Sequence, residues 1–178
     1  TKLAYQPSAT IKIDLGYNYN LNDDGRGNLY TPIAYAPASV GTPPSYAQNM
    51  TEKSYNGKGV NEGVANEGTL KISFETGLGE IVSYTGYAQR ELTQIFDFDG
   101  SYRDLTTIDV FTTIDTFQQS LVYNIDAFEN YSIVIGADYY NDYREATAKT
   151  LVAGNLVQDN TPHVETNAIA IYVDATYN

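Results

Sequence analysis

The side chains in this sequence most able to do chemistry are carboxylates. Four of them lie in two Asp-Gly stretches, Asn22-Asp23-Asp24-Gly25 and Asp97-Phe98-Asp99-Gly100. Oxygen-rich loops of this kind can hold Ca²⁺, but an EF-hand loop also needs a bidentate acid at its twelfth position. Counted from Asp97 that position is Ile108, and counted from Asp23 it is Ala34. Both stretches read better as tight turns, because Gly accepts the positive φ that a turn requires. Asp138 and Asp142 share one parity of a strand, which puts them about 13 Å apart at ~3.3 Å per residue. That exceeds the ~5–9.5 Å of a glycosidase carboxylate pair, so they read as polar lining. His163 is the sole histidine and Cys is absent. No His-pair or thiolate metal site can form from such a set. No Gly-x-Ser-x-Gly elbow occurs, and Gly25-Arg26-Gly27-Asn28 and Gly57-Lys58-Gly59 lack Walker spacing. The expectation is a non-enzyme with no cofactor and no metal.

Such residues need a scaffold, and the composition indicates which kind. The chain has 178 residues, enough for one domain, with 22 acidic against 10 basic side chains and a formal charge of −12. Nucleic acid is therefore an unfavourable partner, since binding it requires cations that replace counterions. Tyr is abundant at 17, with 6 Phe and no Trp. A Tyr-, Thr- and Asn-rich chain favours strands and turns over helices. No run approaches the ~18–20 apolar residues of a membrane helix, which leaves strand-built membrane proteins open. The chain starts at Thr1 with no leader-like segment, as expected of a mature or excised piece.

A period of two dominates. Ile11, Ile13, Leu15, Tyr17 and Tyr19 alternate with Lys12, Asp14, Gly16 and Asn18. Leu70, Ile72 and Phe74 alternate with Lys71, Ser73 and Glu75. A third, less regular strand covers 80–90, and a long one covers 108–126, with Phe111, Phe117, Leu121, Tyr123 and Ile125 on one parity. The last two cover 131–143 and 165–178, the second with Ile169, Ile171, Val173, Ala175 and Tyr177 in phase. Alternate side chains on a strand point to opposite faces, so each segment has one apolar face.

The joins alternate between short (6–9, 76–79, 127–130) and long (21–68, 91–106, 145–164). An up-and-down antiparallel meander does this when its turns lie at one end and its loops at the other, as in a transmembrane β-barrel. A soluble sandwich gives no reason for that parity. Residues 144–151 also carry a weak helical signal.

Tyrosines support the same reading. Tyr17, Tyr19, Tyr84, Tyr87, Tyr139, Tyr140, Tyr143 and Tyr177 fall near the loop-side ends of strands, as in an aromatic girdle at the membrane–water interface. Ordinary cross-strand packing would use the same residues. Tyr30, Tyr35, Tyr46 and Tyr55 lie in the long 21–68 segment, where they could stack on or hydrogen-bond a ligand.

Taken in order, several stretches resemble a known family. Ser83-Tyr84-Thr85-Gly86-Tyr87 is followed by Asp97-Phe98-Asp99-Gly100-Ser101, then Phe117-Gln118-Gln119-Ser120-Leu121, then Ile133-Val134-Ile135-Gly136-Ala137-Asp138-Tyr139-Tyr140. This succession resembles the barrel of TonB-dependent outer-membrane receptors, with a TGY-like step, an acidic D-x-D-G-S loop, an F-x-Q-E-L strand and a V-x-G-x-Y-Y strand. Ser120 stands where the family has Glu. The resemblance implies a bacterial outer-membrane location, a TonB energy-coupling partner and uptake of a scarce nutrient such as an iron chelate, cobalamin or oligosaccharide. It also implies a plug inside a barrel of about 22 strands.

The expected fold is therefore all-β: an antiparallel up-and-down meander of about six strands over 1–178, a segment of a transmembrane β-barrel with a long external loop at about 21–68 and the plug domain absent. Tyr30, Tyr35, Tyr46, Tyr55, Asp97, Asp99 and Arg103 are the ligand-contact candidates in external loops. Lipid would meet the apolar parity. Six strands cannot close, because the smallest barrels have about eight. Open edges then invite pairing with other chains, which makes a filament-forming β-rich protein one rival reading. A secreted sandwich-type binding module is another; it expects a second sheet over the Ile11–Leu15 face.

Overall fold

The computed structural model describes residues 1–23, 60–97, 106–128 and 130–177. They form one antiparallel sheet of eight strands that does not close on itself. β1 (Lys2–Tyr5) and β2 (Ile11–Asp23) form the first hairpin, followed by β3 (Val60–Thr76), β4 (Gly79–Asp97), β5 (Thr106–Phe128) and β6 (Tyr131–Val152). β7 (Asn155–Asn160) and β8 (His163–Tyr177) both pair with the far edge of β6. β7 takes residues 148–152 of β6 and β8 takes 131–145, so the two lie end to end along a single line. Pro162 sits at the break, where it can donate no ladder hydrogen bond.

The meander matches the alternating pattern, and the strands run further than that pattern reached. β5 has 23 residues and β6 has 22. At ~3.3 Å per residue, β5 spans roughly 75 Å. Strand structure takes in both described ends of the 21–68 segment, the described part of 91–106 and most of 145–164. The expected long join at 145–164 is instead a two-residue turn. Ala153 (φ 47°) and Gly154 (φ 76°) hold successive left-handed conformations there, the geometry that matches the twist of a hairpin. The weak helical signal at 144–151 is likewise overturned. Those residues are strand in β6, held on one side by β5 and on the other by β7. β1, with four residues, is too short to show a period in the sequence.

Antiparallel partners lie on the same face, so the register propagates one face across the sheet. Starting from Ile13 and Leu15, it passes to Ile72 and Leu70, then Ser83 and Thr85, then Leu121 and Gln119, Ala137 and Tyr139, and Ile171 and Ile169. This is the apolar face. Among the described residues only Ser73, Gly86, Gly136 and Asp142 are buried, and all four lie on the opposite, polar face. Gly136 lies where two strands must approach closely: a Cβ there would run into the Tyr172 ring on the adjacent β8.

Candidate functional site: an apolar band and a polar cleft

On the apolar face, a band next to the short turns is free of charge. It spans 11–17 of β2, 68–76 of β3, 79–87 of β4, 117–125 of β5, 131–139 of β6 and 169–177 of β8, taking alternate residues. Over the same stretch the polar face carries Lys12, Asp14, Lys71, Glu75, Glu80, Asp138 and Asp174. Side chains of the band stand in the open: Leu15 is 49% exposed, Leu121 51%, and Ile169 and Ile171 77% and 79%. Among the described residues no second layer packs on them. The polar members of the band satisfy one another. Thr85 donates to Gln119 Oε1 at 2.6 Å, and Gln119 Nε2 donates to Ser83 Oγ at 3.0 Å.

Tyrosines stand at the loop-side margin of this band and, on β6 and β8, at its turn-side margin. At its loop-side margin, Tyr17, Tyr87 and Phe117 share one cross-strand row, with Tyr139 one step below and 6.1 Å from Phe117. Their hydroxyls reach away from the band: Tyr17 donates to Asn66 Oδ1 (2.8 Å), Tyr87 to Asp115 Oδ1 (3.0 Å) and Tyr139 to Asn167 Oδ1 (3.1 Å). Tyr19 and Tyr143 stand in the next row out. At the turn-side margin Tyr131 and Tyr177 pack at 5.1 Å. Tyr123 stands opposite Ile135 inside the band and shares a hydrogen bond with Thr76. Tyr131 and Tyr139 are separated by eight residues of β6. That is about 27 Å along the strand, or about 20 Å along the axis of a barrel whose strands tilt by ~40°.

The tyrosines singled out from sequence thus divide. Tyr17, Tyr19, Tyr87, Tyr139 and Tyr143 sit at the loop-side margin, whereas Tyr177 sits at the opposite, turn-side one. Tyr84 and Tyr140 lie on the polar face, paired with Ser120 and Gln118, and do not belong to either row. Of the ligand-contact candidates, Tyr30, Tyr35, Tyr46, Tyr55, Asp99 and Arg103 fall outside the described residues. Asp97 closes β4, and nothing further is described of its side chain. His163, expected in a loop, begins β8 and stacks on Tyr143 with ring centroids 6.1 Å apart.

The polar face holds a cleft of ≈ 430 Å³ that the sequence did not reveal. Two ion pairs frame it. Arg90 Nη2 meets Glu67 Oε1 at 2.7 Å, and Arg144 Nε meets Asp142 Oδ2 at 2.6 Å. In register, Ile114 of β5 lies between the two arginines. The Thr116 hydroxyl donates to Asp142 Oδ1 at 2.8 Å. That bond, and then Arg144, hold the Asp142 carboxyl below its usual range. Arg90, with help from Asn18, does the same for Glu67. Both acids stay ionised near neutral pH, which makes them poor proton donors and good hydrogen-bond acceptors. Among the described residues no group of three or more His, Asp or Glu side chains is placed to hold a metal. No single motif marks this cleft in the sequence, because its residues come from four strands and meet only through the register.

Comparison with known proteins found no family model, no curated protein and no solved structure that matches the chain.

Proposed function

We propose that this chain is wall of a transmembrane β-barrel of the bacterial outer membrane, with the apolar face against lipid and the polar face lining the interior. The observation that carries the reading is the charge-free, tyrosine-bounded band backed by a charged face on the same strands. Hydrocarbon tolerates no unpaired charge, and a lipid-facing sheet surface must be apolar over ~25 Å with aromatic rings at both margins. Tyr suits the margin because its ring prefers the apolar side and its hydroxyl the wet side. The three hydroxyls that turn toward Asn66, Asp115 and Asn167 fit that preference. Strands far longer than the ~9–11 residues of a crossing would stand above the membrane as a rim.

Within that class the reading is a segment of a receptor resembling the TonB-dependent family, working in energised uptake of a scarce nutrient. What supports this narrower reading is the order of the four stretches that resemble the family. Gln119 of the F-x-Q-x-L stretch lies on the apolar face with its amide tied to Ser83 and Thr85, and Ser120 lies on the polar face. The inward cleft between Arg90 and Arg144 would meet whatever passes through or fills the interior.

Refolding the full chain from denaturant in the presence of phosphatidylcholine vesicles tests the reading. The chain should float with the vesicles in a density gradient and keep its turn-side halves protected from protease. A monomer that stays folded in the aqueous fraction would overturn it.

A further inference from the structure

The polar-face cleft offers a ligand hydrogen bonds and ring faces but no net charge. β5 runs down its middle, with Arg90 of β4 on one side of Ile114 and Arg144 of β6 on the other. Two strand spacings put the arginine Cα atoms about 10 Å apart. Their side chains are 56% and 59% exposed, and each spends one nitrogen on an acid. A guanidinium fork carries five N–H donors, so the other nitrogens stay available to a ligand. Glu67 and Asp142 cancel the two positive charges. Further toward the turns, Gln118 is exposed, and among the described residues nothing hydrogen-bonds its amide. Its neighbour Gln119, on the apolar face, is by contrast tied to Thr85 and Ser83. Tyr84 and Tyr140 flank Gln118 from β4 and β6. A Cβ at Gly86 would come within 2.9 Å of Gln118 Cγ, so glycine there leaves that side chain its room. The volume of ≈ 430 Å³ falls within the ~300–1,000 Å³ of small-molecule sites.

We infer that this cleft is a binding site for a neutral saccharide, with Gln118 and the free nitrogens of Arg90 and Arg144 on its hydroxyls and the Tyr84 and Tyr140 rings against its C–H faces. The inference names a ligand class for the membrane-wall reading and rests on it, since the polar face is then the water-filled side. A hydroxyl both donates and accepts, so it can bridge a guanidinium and a carboxylate or amide oxygen without bringing charge. A tyrosine ring with its polar tip suits a sugar ring, which is apolar on its faces and polar at its edge. An anion would meet arginines already neutralised, beside two acids, on a chain of charge −12. A cation would face the arginines themselves. An apolar ligand would strip water from the guanidinium and amide groups and leave them imperfectly paired, which costs affinity.

Full chain refolded into phosphatidylcholine vesicles is titrated by calorimetry with maltose, cellobiose, lactose and mannobiose, and with digalacturonate and adipate as anionic probes. At least one neutral disaccharide should bind about tenfold or more tighter than either anion, the scale of one hydrogen bond to a charged group. Gln118→Leu and Arg90→Gln should each weaken that binding by about tenfold or more. Both positions are exposed, so neither replacement should disturb the sheet. Ala88→Phe, which fills the cleft from β4, should abolish binding. Lys12→Gln, on the same face but outside the cleft, should leave it unchanged. Tighter binding of digalacturonate or adipate would overturn the inference by making this an anion site. Binding that ignores Gln118→Leu, Arg90→Gln and Ala88→Phe would overturn it by placing the sugar elsewhere. A chain that floats with the vesicles and binds none of the neutral disaccharides also overturns it, and leaves the wall reading standing. A chain that fails to float overturns the wall reading, and the inference falls with it.

Discussion

The turn-side and loop-side halves of the same strands obey different rules. Turn-side, charge and hydrocarbon are segregated by face, with Ile13, Ile72 and Ile135 on one side and Lys12, Lys71 and Asp174 on the other. Loop-side, that segregation ends within one row of the tyrosines. Glu62, Glu91, Asp115, Glu145 and Glu165 enter the formerly apolar face, while Leu92, Ile114 and Val110 appear on the formerly polar one. The β2–β3, β3–β4 and β4–β5 ladders run unbroken through both halves, so the backbone does not set the boundary. On the proposed reading, the difference lies in what each half faces: a medium that excludes charge below the tyrosine row, and water above it.

The contrast can be broken most severely by a charge placed in the middle of the band. Ile135 lies midway between Tyr131 and Tyr139 on the apolar face. Ile135→Arg should cost about 2–4 kcal/mol of folding free energy in bilayers, the midplane cost of a cation on a barrel's lipid face. Val134→Arg, one residue away on the polar face and opposite Asp174, should cost under about 1 kcal/mol. Denaturant titration in vesicles compares the two, and equal costs would erase the distinction between faces. The next largest effect concerns close packing on the inner face. Gly136→Ala forces the Tyr172 ring aside and should cost about 1–3 kcal/mol. Tyr172→Ala should recover most of that in a double-mutant cycle, because the penalty belongs to the pair.

Above the tyrosine row the account sharpens through pH. Asp142 is buried, and the hydrogen bond from Thr116 and the pairing with Arg144 lower its folded-state pKa. Its stabilisation is therefore fully present above the ordinary carboxylate value and lost as pH falls through the lowered one. Asp142→Asn should remove that acid limb from a stability–pH curve and cost about 1–3 kcal/mol at neutral pH, by leaving its partners less well satisfied. The smallest effect falls at the boundary. Tyr17→Phe deletes an exposed hydrogen bond to Asn66 and keeps the ring, so a loss of only about 0.5 kcal/mol is expected from the same titration.

Much of the fold was legible where apolar and charged residues are segregated by face. The period of two in 11–19, 70–75, 131–139 and 169–177 survives unchanged in β2, β3, β6 and β8. The extensions escaped notice where the faces stop being segregated. Val60 to Gly68 carries no clean alternation, and 144–152 is rich in Glu, Ala and Lys, residues that suit helices. Pairing with β5 and β7 overrides that local preference. The band's tyrosines could be picked out by type, but Tyr84 was grouped with Tyr87 by proximity, and an odd offset on a strand reverses the face. The cleft was illegible because Glu67, Arg90, Thr116 and Asp142 are distant in sequence and converge only through the register.

The most direct measurement uses the absence of tryptophan. Single-Trp chains Ile171→Trp, on the apolar face, and Ala170→Trp, on the polar face, are refolded into vesicles whose acyl chains carry bromine. Bromine quenches indole only at close range. The account predicts strong quenching at 171 and weak quenching at 170. Equal quenching at the two positions, or none at 171, would contradict the assignment of the apolar face to lipid.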